Sequence, residues 1–285
     1  MRLTQRLILA TAATLPGLAA AADNVPELLV PAYFYPAGSG ATDWSRLTAA
    51  AGKVHITAII NPDSGAGSRK DPVLAAAIDD FKAAGGTVLG YLSTSWGQRS
   101  SQLVKTDIDR YASWYPVDGL FFDETATNAA HLAYYAALGN YAHQKNPGLT
   151  LMANPGTPPI EDYVKLFDTV VMYEDPASKL AAYSPPAYMA NYGARHFGML
   201  VIDGDQTVMT QQVAFAASHN LGYIYINDRS MSANEWNGLP AHWEAQVAAI
   251  QVLSAVPEPA EWAMLLAGLG LVASMRRRRK LAPSA

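Results

Sequence analysis

Two acidic residues end an apolar run near the middle of the chain. The run Gly119 to Phe122 leads directly into Asp123 and Glu124, a pattern typical of a buried parallel strand that ends at a water-filled site. A third acid, Glu174, follows the apolar run Thr169 to Tyr173. Because burying an unpaired carboxylate costs several kcal/mol or more, we expect such acids at the ends of strands. These three acids are therefore the candidates for chemistry.

Two carboxylates that face each other could hydrolyse a glycosidic bond. One is protonated and releases the leaving oxygen, while the other is ionised and attacks the sugar or activates water. An apolar surround and mutual repulsion push the two pKa values apart, which gives each acid its role. In a regular strand Asp123 and Glu124 point in opposite directions, so one can reach the centre of the mouth and the other must bend toward it or serve as a supporting group. We predict that Glu124 is the general acid, that Glu174 is the partner carboxylate, and that Asp123 orients or tunes them.

Polar and aromatic residues also follow the other apolar runs. Carboxylates and amides hydrogen-bond sugar hydroxyls, and exposed aromatic rings stack on sugar faces. Taken singly, each position is explained equally well by a helix cap, a loop turn or core packing, but the shared location at strand ends favours a common site. We predict substrate binding by Tyr33, Tyr35, Asn61, Trp96, Asn154, Tyr173, Asp203 and Asn227.

The elements that would position these residues alternate along the chain. Eight short apolar runs are each followed by a helix-like or irregular segment, and they comprise Leu28 to Pro36, Val54 to Pro62, Thr87 to Ser93, Gly119 to Thr125, Thr150 to Pro155, Thr169 to Asp175, Gly198 to Asp203 and Gly222 to Asp228. This alternation predicts the α/β class and a single-domain (β/α)8 TIM barrel, in which the carboxyl ends of the strands ring one mouth. An open, doubly wound sheet is the alternative.

Two connections between the runs are expected to differ from the rest. A short helix is predicted around Ile160 to Phe167, after the fifth run. After the sixth run, Pro176, Pro185 and Pro186 predict a long irregular loop, because proline interrupts regular helices.

The amino-terminal segment, residues 1–22, has the pattern of a secretory signal peptide. Arg2 and Arg6 precede the apolar run Leu7 to Leu18, and the small residues Ala19 to Ala22 follow it. This order predicts export and cleavage by signal peptidase, with a short buried helix as the alternative. The folded domain is then expected to comprise residues 23–256.

The carboxyl-terminal segment, residues 257–285, has three parts in sequence. Pro257-Glu258-Pro259 precedes the apolar run Trp262 to Met275, and five basic residues, 276–280, follow that run. The run is shorter than the ~20 residues of a comfortable membrane span, but basic residues on the cytoplasmic side can extend a short transmembrane segment. The segment resembles the PEP-CTERM sorting signal. That resemblance implies recognition by an exosortase, transient anchoring in the inner membrane, and delivery to the cell surface or extracellular matrix; a plain anchor is the alternative.

Composition narrows the classes of function. The two end segments contain seven of the 20 basic and two of the 24 acidic residues, so the domain between them has an excess of about nine negative charges, which argues against nucleic acid as a partner. The chain has no cysteine and no Gly-x-Ser-x-Gly elbow, which gives little support to a Cys or Ser nucleophile. Glycine-rich phosphate loops are absent too, and we expect no cofactor. The histidines are scattered and show no metal-ligand spacing, so we expect no metal. A metal-dependent lyase or isomerase is a further alternative, in which Asp123, Glu174 and Asp203 would serve as oxygen ligands.

Several motifs resemble the spherulin-4-like family, over about Leu28 to Leu253. They are Pro31 to Pro36, Ile60 to Gly65, Gly90 to Thr94, Tyr115 to Gly119, and Phe122-Asp123-Glu124. The resemblance implies a (β/α)8 barrel that acts as an endo-α-1,4-galactosaminidase, with functional acids at Asp123, Glu124 and Glu174. The hypothesis is thus an exported, endo-acting glycoside hydrolase of galactosamine- or N-acetylgalactosamine-containing exopolysaccharide, with a role in turnover of a biofilm matrix. The alternative is a surface protein that binds carbohydrate on a TIM barrel without turnover.

Overall fold

A computed structural model of the chain describes residues 25–255. The predicted signal peptide, the Pro-Glu-Pro motif and the apolar run 262–275 lie outside the described residues. Within 25–255, no helix combines the length and the apolar character that a membrane crossing needs.

Eight parallel strands close into a barrel in sequence order. Their bounds are Glu27–Ala32 (β1), Ile56–Ile60 (β2), Thr87–Ser93 (β3), Gly119–Asp123 (β4), Thr150–Asn154 (β5), Thr169–Pro176 (β6), Phe197–Ile202 (β7) and Tyr223–Ile226 (β8). Each strand lies within or next to one of the apolar runs, and the predicted (β/α)8 barrel is confirmed. In β2 every residue is buried, as expected for a parallel strand that is covered on both faces.

The described part of the chain has six α-helices, five between strands and one after β8. They are Ala41–Ala51 (α1), Pro72–Ala83 (α2), Ser101–Trp114 (α3), Leu132–Lys145 (α4), Gln206–Ser218 (α5) and Trp243–Ser254 (α6). The ends of α2 show how the sequence sets such bounds. The Asp71 side chain accepts hydrogen bonds from the first free N–H groups, proline occupies the first turn, and Gly85 follows with φ 101°, a conformation that favours glycine.

The two strand connections around β6 contain 3-10 turns instead of α-helices. The short helix predicted at Ile160 to Phe167 is a 3-10 turn at Glu161–Tyr163, because the extended Pro158-Pro159 leaves too few residues before β6 to nucleate a longer helix. The irregular loop predicted after β6 is confirmed, with short turns at Ala177–Ala182, Ala187–Asn191 and Ala194–His196.

The two faces of β4 are distinguished by their ring contacts. The Phe122 ring lies 5.3 Å from that of Phe167, and Phe167 lies 6.0 Å from Tyr135 of α4, so Phe122 faces the outer layer. Side chains alternate along a strand, and Phe121 and Asp123 therefore face the interior of the barrel.

A bulge interrupts β6 just before its acidic residue. The pairing of β6 with β7 shifts between Val171 and Tyr173, which leaves Met172 as the extra residue. Bulges bend a strand and redirect the side chains that follow, and they are common beside active sites. The bulge therefore sets the direction in which the Glu174 side chain points.

Candidate active site

The carboxylate of Asp123 lies in the mouth of the barrel and receives a donor on each oxygen. The Tyr91 hydroxyl, from β3, donates to Oδ2 over 2.7 Å, and the Asn154 amide, from β5, donates to Oδ1 over 2.7 Å. Donors thus reach Asp123 from both neighbouring strands. Hydrogen bonds of this kind favour the ionised form of a carboxylate.

Asn154 joins two of the predicted acids. The Nδ2 atom that donates to Asp123 also donates to Oε2 of Glu174, near the carboxyl end of β6. Its Oδ1 accepts a 3.0 Å hydrogen bond from the backbone N–H of Gly156, which fixes the end of the amide that faces the acids. Because each carboxylate oxygen lies within about 3 Å of one nitrogen, the two oxygens can be at most about 6 Å apart.

Glu174 also meets two residues from the segment that follows β8. The Trp236 side chain and the negative charge of Glu235 both lie close enough to influence the pKa of its carboxylate, which Trp236 lowers and Glu235 raises. Trp236 is buried. The acid therefore lies between a strand end on one side and an aromatic wall on the other.

Burial and the charge of a neighbouring carboxylate raise the pKa of both paired acids. Burial, and then the charge of Asp123, raise the pKa of Glu174 to about 7. Burial also raises the pKa of Asp123, and the charge of Glu124 adds to the rise. Hydrogen bonds from Tyr91, from a backbone N–H and from Asn154 oppose the rise at Asp123. Because Asp123 has more donors, we assign the proton of the pair to Glu174 at neutral pH.

Glu124 lies beside this pair but its carboxylate is bonded to the loop after β3. Its backbone is left-handed, with φ 53°. The Ser93 hydroxyl donates to Oε2 over 2.7 Å, and the backbone N–H of Ser95 donates to the same atom over 3.1 Å. The structure thus links Asp123 and Glu174 through Asn154 and turns the Glu124 side chain toward a neighbouring loop.

Two predicted aromatic residues lie at the mouth in different settings. Tyr33 packs edge-on against Tyr91, with ring centroids 5.6 Å apart. Burial, followed by the nearby charge of Asp123, raises the pKa of the Tyr33 hydroxyl, so its ring lies close to the acids. Trp96 is on the rim, in the loop after β3, and is 58% exposed.

Three predicted binding residues are engaged by their own loops. The Asn61 side chain accepts a 3.1 Å hydrogen bond from the backbone N–H of Gly65. The Tyr173 hydroxyl donates to the Pro176 carbonyl over 2.6 Å. The buried amide of Asn227 donates to the carbonyl of Glu235 over 2.6 Å. The structure does not bring these three side chains to the paired acids.

Two further predicted residues are exposed around the barrel mouth. The Tyr35 hydroxyl lies 3.3 Å from the Asp71 carboxylate, at the start of α2. Asp203 follows β7 with a left-handed backbone, φ 58°, and is exposed. Neither contacts the paired acids, and a role for them in substrate binding stays a prediction.

Three residues near the acids were missed from the sequence. Tyr91 was findable, because it lies two positions before Ser93 and so shares its strand face, and Ser93 pairs with Asp123. Glu235 and Trp236 belong to an irregular segment, where no periodicity indicates which side chains turn inward.

Two other features of the described residues bear on the site. Within 25–255 no three His, Cys, Asp or Glu side chains lie together in an arrangement that could hold a metal ion. A cavity of about 490 Å³ lies at the opposite end of the barrel, among Glu27, Lys53, His55 and Arg195. In barrels of this kind active sites are found at the carboxyl ends of the strands, which is where the paired acids lie.

Comparison with known proteins identifies the family. A family model described as spherulation-specific family 4 matches residues 27–250. The chain belongs to spherulation-specific family 4. A family relative, Spherulin-4 of Physarum polycephalum, is 32% identical over 241 residues, which cover 80% of this chain and 71% of the relative. The resemblance inferred from the motifs is therefore confirmed.

A solved structure extends the likeness of this family member to three dimensions. Sph3 of Aspergillus clavatus, crystallised in complex with GalNAc, superposes with a TM-score of 0.72 and 21% identity, over 81% of this chain and 99% of that one. At this level of identity the match shows a shared fold.

The carboxyl-terminal segment of the same chain has its own match. A model of the PEP-CTERM protein-sorting motif covers residues 255–280. This confirms the predicted resemblance and indicates export and sorting by way of the membrane.

Proposed function

We propose that this protein is an endo-acting glycoside hydrolase of galactosamine- or N-acetylgalactosamine-containing exopolysaccharide. The observation that carries the proposal is the Asn154 amide, which donates to both Asp123 and Glu174. It holds two carboxylates of unequal proton affinity at one point of the mouth. Glycosidic bond cleavage requires such a pair.

The geometry favours a different allocation of roles from the one predicted from sequence. Glu174, with the raised pKa, acts as general acid and transfers its proton to the glycosidic oxygen as the bond to the anomeric carbon breaks. Asp123 attacks that carbon and forms a glycosyl ester. Water, deprotonated by Glu174, then displaces Asp123 and restores both acids. Glu124, which the sequence predicts as the general acid, is bonded to the β3 loop instead.

The spacing of the two acids supports net retention of configuration. Retaining glycosidases place their carboxyl groups about 5–5.5 Å apart, whereas inverting enzymes need about 6.5–9.5 Å to admit a water molecule. The shared Asn154 nitrogen limits the separation of the bonded oxygens to about 6 Å. The mouth therefore fits direct attack by Asp123 better than attack by an intervening water.

The substrate class is supported from two sides. The related fold of Sph3 was crystallised with GalNAc, and the acids Asp123, Glu124 and Glu235 give this mouth a negative charge that suits an amino sugar with a free ammonium group. The endo mode of cleavage follows from the family resemblance.

The sorting motif supports a location for this activity. With the PEP-CTERM match at residues 255–280, we propose processing by signal peptidase and exosortase, and delivery to the cell surface or to an extracellular polysaccharide matrix. Turnover of a biofilm matrix would be the consequence.

The test is product analysis on partially deacetylated α-1,4-galactosamine polymer, with proton NMR of the first anomer released. We expect oligosaccharides with retained configuration from the wild type, and none from Glu174→Gln of equal helical content. Inverted product would overturn the role given to Asp123. Polymer binding with no products at any pH would instead favour the carbohydrate-binding surface protein.

A further inference from the structure

Three residues with left-handed backbones meet where β3 and β4 end. They are Ser95, Trp96 and Glu124, with φ of 48°, 53° and 53°. This conformation is unfavourable for residues other than glycine, so the surrounding structure must hold it in place. Backbone strain of this kind clusters at functional sites, and an observed case justifies asking what it positions.

The hydrogen bonds of Glu124 hold the strained loop. Its carboxylate accepts from the Ser93 hydroxyl and from the Ser95 N–H. Its backbone carbonyl accepts from the Trp96 N–H over 2.7 Å and from the Thr94 hydroxyl over 2.9 Å. One residue at the end of β4 thus fixes four consecutive residues, 93–96.

The far side of the same loop is fixed independently. Arg99 donates to the Ser93 carbonyl over 3.0 Å and forms a 2.6 Å ion pair with Asp107, whose side chain is 6% exposed. The Tyr134 hydroxyl donates to the Arg99 carbonyl over 2.8 Å. The loop is therefore braced from α3 and α4 as well as from β4.

The braced loop displays a large aromatic ring to solvent. Trp96 is 58% exposed, whereas Trp236, on the opposite side of the mouth, is 7% exposed. A single exposed tryptophan is unremarkable on a mobile surface loop. Trp96, however, lies on a loop that its partners hold in a strained conformation, and we interpret the exposure of its indole ring as a sign of ligand binding.

We propose that Glu124 is a positioning residue that links the catalytic strand end to a sugar-binding platform at Trp96. The indole ring stacks on the face of a sugar unit that lies at a distance from the cleaved bond. It also attracts the ammonium group of an unacetylated galactosamine. This inference rests on the proposed glycosidase function and adds a substrate preference to it. A polymer can reach the platform while it occupies the acids, whereas a short oligosaccharide cannot.

The kinetic test compares Glu124→Ala, Glu124→Gln and Trp96→Ala on polymer and on a short oligosaccharide. We expect Trp96→Ala and Glu124→Ala each to raise KM for polymer about tenfold, with kcat kept within about twofold and little change on the short substrate. The double variant should lose no more than either single one, because both remove the same platform. Leu103→Ala, which removes another exposed side chain (55%) on the outer helix α3, is the control and should leave KM unchanged.

Glu124→Gln separates positioning from acid catalysis. The glutamine oxygen can still accept from Ser93 and Ser95, so this variant should restore the KM that Glu124→Ala loses. A fall in kcat of a hundredfold or more in Glu124→Gln would show that the Glu124 carboxylate takes part in the chemical step, and it would overturn the proposal.

A structural readout keeps this test distinct from the test of hydrolysis. Amide exchange at Ser95 and Trp96 should be faster in Glu124→Ala than in the wild type, and close to wild type in Glu124→Gln. If wild type cleaves nothing, the proposed function fails, and polymer affinity then decides the platform: a tenfold weaker Kd in Trp96→Ala supports it. Equal affinity or equal exchange in these variants would refute it.

Discussion

The mouth of the barrel has two halves, in which polar side chains at the strand ends have different hydrogen-bond partners. On β3 to β6, polar side chains bond to one another across the strands, as Tyr91, Asp123, Asn154 and Glu174 do. On the other side, which comprises β7, β8, β1 and β2, Asn61 and Asn227 at the strand ends bond to backbone groups of their own loops. We call these the acid half and the loop half.

The difference arises from what the adjacent loops need. Irregular segments leave backbone N–H and C=O groups without partners, and a buried group left unpaired is costly. Asn227 donates to two such carbonyls, those of Glu235 and Gly238. Asn154 meets one, the N–H of Gly156, and its amide nitrogen remains available to two acids. A polar residue at a strand end is therefore available to the active site only when the following loop does not use the hydrogen-bonding groups of its side chain.

The largest expected contrast between the halves is between two aspartates. Asp123→Asn should lower kcat/KM on the order of 10²–10⁴-fold, because the amide cannot attack the sugar or balance the charge that develops. Asp203→Asn, in the loop half, should stay within about threefold, since Asp203 is exposed and asparagine tolerates its left-handed backbone. Steady-state kinetics on polymer measure both, with circular dichroism to confirm the fold. Equal losses would show that the site extends across the whole mouth.

The next contrast is between two asparagines, each at or next to the carboxyl end of its strand. Asn154→Ala should lower kcat/KM by roughly 10–100-fold, because a hydrogen bond to a charged group contributes about 1.5–3 kcal/mol. Asn227→Ala should instead lower the free energy of unfolding by about 1–3 kcal/mol, since it leaves buried carbonyls unpaired.

Urea denaturation beside kinetics distinguishes these two outcomes. Activity per folded molecule should fall less in Asn227→Ala, where the effect reaches Glu174 only through the segment that carries Trp236. A larger activity loss in Asn227→Ala than in Asn154→Ala would contradict the division into halves.

The barrel and the position of the acids were predictable because both follow from repeated patterns. The eight apolar runs specify eight buried strands, and the cost of buried charge places Asp123 and Glu174 at strand ends. The direction of Glu124 was not predictable in the same way. It depends on a left-handed backbone at one residue, and strand periodicity carries no information beyond the last paired residue.

The loop half shows a second limit of the sequence. Asn61 and Asn227 are of the same type as Asn154, and each is at or next to a strand end. Only the path of the following loop decides whether a side chain serves the backbone or the mouth. That path depends on long-range packing, as with Trp236, which reaches Glu174 from a different strand connection.

The smallest expected effect concerns two tyrosine hydroxyls. The Tyr91 hydrogen bond lowers the pKa of Asp123, and Asp123 must be ionised to attack. Tyr91→Phe should therefore raise that pKa and move the acidic limb of the kcat/KM profile to higher pH, with a loss of about three- to tenfold near neutrality. The alkaline limb requires protonated Glu174, whose pKa is about 7, and activity should fall above that pH in both proteins.

Tyr173→Phe supplies the matched comparison for this shift. Its hydroxyl bonds to the Pro176 carbonyl and its ring lies 5.6 Å from that of Tyr183, so removal of the hydroxyl should leave both limbs of the profile in place. A pH profile of kcat/KM for the three proteins measures the difference. The opposite result, in which the acidic limb moves in Tyr173→Phe and stays in place in Tyr91→Phe, would mean that the hydroxyl bonded to Asp123 has no influence on catalysis. Asp123 would then not be the group whose ionisation starts the reaction.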